Sequence, residues 1–149
     1  MHLEPIGIVK SRSTEAVDTG WGQVISEIHV NETCAEGLIG LDLFSHAVVV
    51  FFMHESSFDA SSPLTRRPRG RDDMPLLGIF AQRSKHRPNP IGITPVELLE
   101  VKDNIVKVQG LDAIDGTPVL DIKPYVPAFD RVENATVPEW IDRLMVGYF

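Results

Sequence analysis

The run FAQRSKHRPNPIG, Phe80 to Gly92, sets groups that bind anions on a backbone with little freedom. Arg83, Lys85 and Arg87 alternate along it, His86 sits between the last two, and Pro88 and Pro90 bracket Asn89. The prolines fix their own φ and push Arg87 and Asn89 toward extended geometry, while Gly92 permits close backbone approach. Asn89 is thereby held rigidly beside cationic side chains, which is how a site is preorganised. A rigid surface turn with solvated charges has the same composition. A second run, TRRPRGRDD, carries Arg66, Arg67, Arg69 and Arg71 on a Pro/Gly backbone. A guanidinium is permanently charged and its planar fork matches phosphate. The run therefore reads as a cationic arm, as a solvated loop, or as a loop that orders on its ligand.

Acidic residues cluster elsewhere. In GLDAIDGTPVLDIKPY, Asp112 and Asp115 flank a tight turn and could accept hydrogen bonds from a ribose diol. Aspartate also favours turns for local reasons, so this run alone is not diagnostic. His46 and His54 mark the two ends of an apolar stretch. At strand rise they lie about 26 Å apart, too far to share a metal. Neither CxxC nor HExxH occurs, so no metal site is expected. His54 and Glu55, adjacent at the stretch's exit, are the more useful pair for binding. The single cysteine, Cys34, has no partner for an internal disulfide and reads as a small buried hydrophobe.

Charge is unevenly spread. Between Arg66 and Arg87 lie seven Lys and Arg against Asp72 and Asp73, a local +5. The formal total is -7, so the rest of the chain carries -12. An acidic protein with one basic window points to an anionic partner at one site. The 149 residues suit one domain, spanning 1–149, with a real core. The start, MHLEPIGIVK, lacks the pattern of a signal peptide, and the apolar run Ala47 to Met53 is too short to span a bilayer. A cytoplasmic protein without membrane contact is expected.

Strand patterns must position these groups. Ile6 to Val9 and Gln23 to Val30 are candidates, the latter with Val24, Ile28 and Val30 on one face. AVVVFFM reads as a strand buried on both faces. Leu76 to Gln82 is a further candidate. Ile93 to Val101 and Ile105 to Leu111 flank Asp103-Asn104, a hairpin signal, and Thr117 to Val126 follows the Asp115-Gly116 turn. NETCAEGLIGL suits a short helix capped by Asn31 or Thr33, and PEWIDRLM a second with proline in its first turn. The fold class expected is all-β: a small closed or partly open barrel with one or two short helices and a long basic loop. Residues from Glu55 to Pro75 have no strand pattern and form that loop.

Taken in order, IGIV with Ser11, GLIGLDLFSH leading toward His54, RPRG, GIFAQRSKHRPNPIGIT and GLDAIDGTPVLDIKPYVP resemble the TrmO family, also called TsaA-like or YaeB-like. The resemblance covers about residues 5 to 131. It implies a small β-barrel working as a homodimer, S-adenosyl-L-methionine as methyl donor, and N6-threonylcarbamoyladenosine beside the tRNA anticodon as acceptor. It implies cofactor contacts at Gly20, Trp21, His54, Glu55, Arg83 and Ile93, and at Asp112, Ala113, Ile114 and Asp115. RNA contacts would fall to Arg66, Arg67, Arg69, Arg71, Lys85 and Arg87. No catalytic group is assigned; Arg83, Arg87, Asn89 and His54 are the candidates. The chain lacks the C-terminal extension of longer bacterial members, and Gln82 stands where threonine is common. A non-catalytic RNA-binding barrel and a small-molecule methyltransferase with the same cofactor site are the alternatives.

Overall fold

A computed structural model describes residues 2–149. The barrel strands are β1 (Gly7–Lys10), β2 (Ile25–Val30), β3 (His46–Phe52), β6 (Ile91–Lys102), β7 (Ile105–Gln109) and β8 (Pro118–Pro124). They close in the order β1-β2-β7-β6-β3-β8, with every neighbouring pair antiparallel. Closure leaves no unpaired sheet edge. Two short strands, β4 (Thr65–Arg66) and β5 (Leu77–Gly78), pair as a separate ribbon. The helices α1 (Pro127–Asp130) and α2 (Glu139–Met145) follow the last strand.

Period-2 patterning explains the interior. Val9, Ile28, Val30, Val49, Val96, Val106, Val108 and Val119 point inward and are almost fully buried. β-Branched side chains suit this pleated, enclosed surface. In β2 the inward positions are Ser26, Ile28 and Val30; Val24 precedes the strand and is half-buried. β3 is buried on both faces at Ala47, Val48 and Val49, as its apolar run predicts. Its Phe51 pairs with Gly92 across β6, and a Cβ at Gly92 would collide with the Phe51 ring. The close approach to the backbone that glycine permits at this position is made by an aromatic ring. The Asp103-Asn104 hairpin forms as expected, with Lys102 paired to Ile105 and Asp103 at φ 54°.

Three expectations are corrected. Leu76 to Gln82 is strand only at Leu77–Gly78 and then turns 3-10 over Ile79–Ala81. Its partner β4 is two residues long, so the ladder ends and Ile79 turns inward under the arm while Phe80 faces solvent. The Asn31 segment forms 3-10 helix at Glu32–Leu38 and Leu41–Leu43, interrupted by Gly40 at φ 87°. Asn31 does not cap it; its side chain donates to the Pro5 carbonyl instead. The second expected helix exists, but Pro138 stands at the N-cap, before the first turn. Among the described residues no helix is long and apolar enough to cross a membrane.

The antiparallel order collects at one end of the barrel the exits of β1, β3 and β7 and the starts of β2, β6 and β8. Residues 53–90, which hold the arginine arm, leave and rejoin the barrel at this end. The Met53 amide donates to the Pro90 carbonyl across their base at 2.8 Å.

Candidate functional site

Asp112 lies at this end, in the segment that follows β7. Its carboxylate accepts hydrogen bonds from two hydroxyls: Thr94 Oγ1 at 2.5 Å through Oδ1, and Tyr148 Oη at 2.6 Å through Oδ2. Thr94 projects inward from β6 and is 4% exposed. Burial, reinforced by the Asp112 charge, pushes the Tyr148 phenol well above the usual phenol range. The phenol therefore stays protonated and donates. Each carboxylate oxygen keeps a second lone pair, so Asp112 can accept two more donors.

The chain's last residues reach Asp112 by docking along residues 20–22. The amides of Gly20 and Trp21 donate to the carbonyls of Gly147 and Tyr148, both at 2.8 Å. Gly20 takes φ 78°, a conformation that favours glycine. A Cβ at Gly22 would stand 2.6 Å from the Phe149 carbonyl carbon, so glycine is what lets the tail lie this close. Trp21 is buried, and its indole N–H donates to Val17.

The arm has internal structure. Met74 and Ile79 are buried beneath it. The Arg67 guanidinium donates to the Met74 carbonyl. Gln82 donates both protons of its side-chain amide, to the carbonyls of Arg66 and Leu77, and so ties the β4–β5 ribbon together. Arg71 grips Asp73 with two bonds of 2.9 and 2.6 Å, and this hydrogen bonding holds the Asp73 carboxyl below the usual carboxylate range. Arg69 lies over the Tyr148 ring, 5.6 Å from its centroid, and 3.5 Å from Asp18. The arm and the acidic end therefore meet at Tyr148, although the charge distribution suggested two separate regions.

Residues 16–131 match the family model of the tRNA-methyltransferase O N-terminal domain. The chain belongs to the TrmO family. An S-adenosyl-L-methionine-binding protein of Archaeoglobus fulgidus is 41% identical over 138 residues, covering 90% of this chain and 96% of the relative. The tRNA (adenine(37)-N6)-methyltransferase of Escherichia coli is 40% identical over 148 residues, covering 91% of this chain and 62% of the enzyme. The crystal structure of TrmO from Pseudomonas aeruginosa superposes with a TM-score of 0.76 at 31% identity, over 94% of this chain and 61% of that one. The chain thus spans under two thirds of these two bacterial proteins.

Within this TrmO-family barrel, one path of contacts joins many of the residues singled out from sequence. Arg83 Nη2 donates to the Ile93 carbonyl at 2.6 Å. Ile93 adjoins Thr94, which bonds Asp112, which bonds Tyr148, whose backbone meets Gly20 and Trp21. Ala113 and Ile114 are buried beside Asp112. Asp115 sits one turn on, where its Oδ1 accepts the Ser11 amide at 3.0 Å and so holds the exit of β1. His54 and Glu55 are exposed in the turn after β3. Arg87 donates to the Gln82 carbonyl at 3.2 Å. The Asn89 carbonyl accepts the Ile91 amide, and its side chain is exposed. Arg66 and Lys85 make no side-chain hydrogen bond or ion pair with other described residues, which leaves their charges available to a ligand. Among the described residues no group of three His, Cys, Asp or Glu side chains could hold a metal.

Sequence reasoning missed Thr94 and Tyr148. Thr94 left a faint signal: it is polar at an inward position of β6, in phase with Val96. Tyr148 left none, because its importance comes from the tail's path and not from any local pattern.

Proposed function

We propose that this chain is an S-adenosyl-L-methionine-dependent methyltransferase acting on tRNA, with N6-threonylcarbamoyladenosine beside the anticodon as acceptor. The observation that carries the reading is the contact path from Arg83 through Ile93, Thr94 and Asp112 to Tyr148 and Trp21, with an arginine arm rooted at the same end of the barrel. The names of the A. fulgidus and E. coli relatives agree with it.

The residues present fit the cofactor. Asp112 has acceptor positions left and Asp115 is exposed, which suits a ribose diol, and carboxylates suit a cationic donor. Buried Ala113 and Ile114 add apolar surface beside them. When bound, S-adenosyl-L-methionine supplies an activated methyl group on a sulfonium and leaves as a neutral thioether. The protein's task is then chiefly alignment. Arg83 is steadied by the Ile93 carbonyl and has further N–H donors for the carboxylate of the threonylcarbamoyl group. The acceptor nitrogen is acyl-substituted, so its proton is more acidic than that of an amine and a weak base suffices. His54, exposed at the exit of β3, is our candidate for it.

We further read residues 1–149 as a single TsaA-like barrel domain that acts as a cytoplasmic homodimer. Phe52 and Ile91 are register partners that both expose apolar surface, with Ile93 nearby on β6. A second copy covering this strip would remove it from water.

The test is incubation with tRNA and methyl-labelled cofactor, followed by mass spectrometry of the nucleosides. Label on N6-threonylcarbamoyladenosine is expected. Label on another nucleoside moves the acceptor. No label in a protein that binds the cofactor overturns the enzyme reading in favour of a binding module.

A further inference from the structure

Tyr148 belongs to none of the sequence motifs, yet three parts of the site converge on it. Its hydroxyl donates to Asp112 at 2.6 Å. Its carbonyl accepts the Trp21 amide at 2.8 Å, beside the matching bond from Gly20 to Gly147. Its ring carries the Arg69 guanidinium at 5.6 Å, and Arg69 also faces Asp18, 3.5 Å away on the approach to Gly20.

We propose that Tyr148 is a positioning residue that couples the arginine arm to the cofactor site, so that RNA on the arm raises cofactor affinity and cofactor raises RNA affinity. The inference rests on the functional reading above and adds the regulation of that site. The geometry supplies the mechanism. A guanidinium uses its flat face against a ring and its in-plane N–H groups for a phosphate. Arg69 can therefore hold a phosphate without leaving Tyr148. A phosphate so held restrains Arg69 over the ring, and the ring restrains the tail. The tail fixes residues 20–21 through two backbone bonds and fixes Asp112 through the hydroxyl.

Arg69 is also a local outlier. It adopts φ 51°, a left-handed conformation that non-glycine residues seldom take. Such conformations persist where the surroundings over-determine them, and they concentrate at functional positions. Coupling between two ligands is reciprocal by thermodynamic necessity. The same factor must therefore emerge whichever ligand is titrated.

The experiment is calorimetric titration of cofactor, with and without a saturating anticodon stem-loop RNA, on the wild type and three variants. Tyr148→Phe keeps the ring and loses the bond to Asp112. Arg69→Lys keeps the charge and loses the flat face. Gly22→Ala drives a methyl group into the tail without altering Tyr148, Asp112 or Arg69. For the wild type, RNA is expected to raise cofactor affinity by about fivefold or more. Tyr148→Phe is expected to lower cofactor affinity about tenfold, as loss of a hydrogen bond to a charged group does, and to bring the RNA effect close to one. Arg69→Lys should also bring the RNA effect close to one, and Gly22→Ala should reproduce Tyr148→Phe.

A folded Tyr148→Phe protein with wild-type affinity and wild-type coupling overturns the proposal. So does a wild type that binds both ligands with no effect of one on the other. Should Tyr148→Phe not fold, Arg69→Lys decides, because lysine keeps a positive charge facing Asp18 and leaves Tyr148 and Asp112 in place: wild-type coupling in that variant overturns the proposal. A wild type that binds no cofactor would bring down the proposed function itself, a result distinct from uncoupled binding.

Discussion

Replacing Asp115 with alanine removes a bond inside the protein as well as any bond to a ribose. The inner bond is to the Ser11 amide, at an exposed position, so it contributes only about 0.5–1.5 kcal/mol. The expected result is a melting temperature lowered by a few degrees and cofactor affinity lowered at least about tenfold. Calorimetry with a thermal melt separates the two effects, and undiminished affinity in a folded variant removes Asp115 from the cofactor set. Tyr148 makes a second residue-level prediction. The folded state holds its phenolic proton more tightly than the unfolded chain does. Its contribution to stability is therefore complete below the ordinary phenol value of 10.0 and is lost as pH rises above it. In a phenolate absorbance titration, the component abolished by Tyr148→Phe should be the one that ionises well above that value. A component ionising near the ordinary value would mean that Tyr148 is not buried against Asp112. The aspartates were legible in sequence because turn chemistry and nucleotide chemistry share one residue type. Tyr148 was not, because Val146 to Phe149 has no composition that announces where it docks.

At the level of elements, the arm is less exposed to solvent chemistry than its composition suggests. Arg67, Arg69, Arg71 and Arg87 all have partners within the protein, whereas Arg66 and Lys85 have none among the described side chains. Replacing Arg66 and Lys85 with serine should change the melting temperature little, since Lys85 is exposed and the half-buried Arg66 side chain has no partner among the described side chains. If each meets one phosphate, the slope of log affinity against log salt should shrink by about 0.7 to 0.9 per residue. An unchanged slope in a salt titration of tRNA binding would take the RNA interface away from this surface. The barrel strands were readable because alternation and apolar runs are set by neighbours close in sequence. The ribbon of β4 and β5 was not, because two-residue strands carry no period, and the tie that makes them a unit is one glutamine, Gln82, reaching back to Arg66. Its side-chain oxygen is buried with no hydrogen-bond partner among the described residues.

The whole molecule carries -7, concentrated away from a window of +5. Such a dipolar distribution steers a polyanion to one end while the rest repels it, and salt weakens the effect. A homodimer formed along Phe52, Ile91 and Ile93 would bury an apolar strip. Light scattering at micromolar concentration is expected to give twice the 16.6 kDa chain mass, with and without cofactor. A single-chain mass under both conditions would overturn the dimer. Global charge was plain in sequence. That the basic window folds back onto Tyr148, beside Asp18, was not, since no sequence pattern encodes a contact between the arm and the tail.

The pairing of Phe52 with Ile91 makes residues 53–90 nothing more than the loop of a β-hairpin, however much they contain. Closing a loop grows costlier only as the logarithm of its length, so the barrel is nearly indifferent to what is inserted there. The arm is thus an exchangeable cassette. Acceptor preference could be transplanted between relatives by grafting this one insert onto a foreign barrel, provided the host offers a ring where Tyr148 stands and a carbonyl where Ile93 receives Arg83. Divergence in this lineage could accordingly proceed by replacing the stretch between Glu55 and Arg83, while those two residues, His54 and the Asp112 end stay as they are.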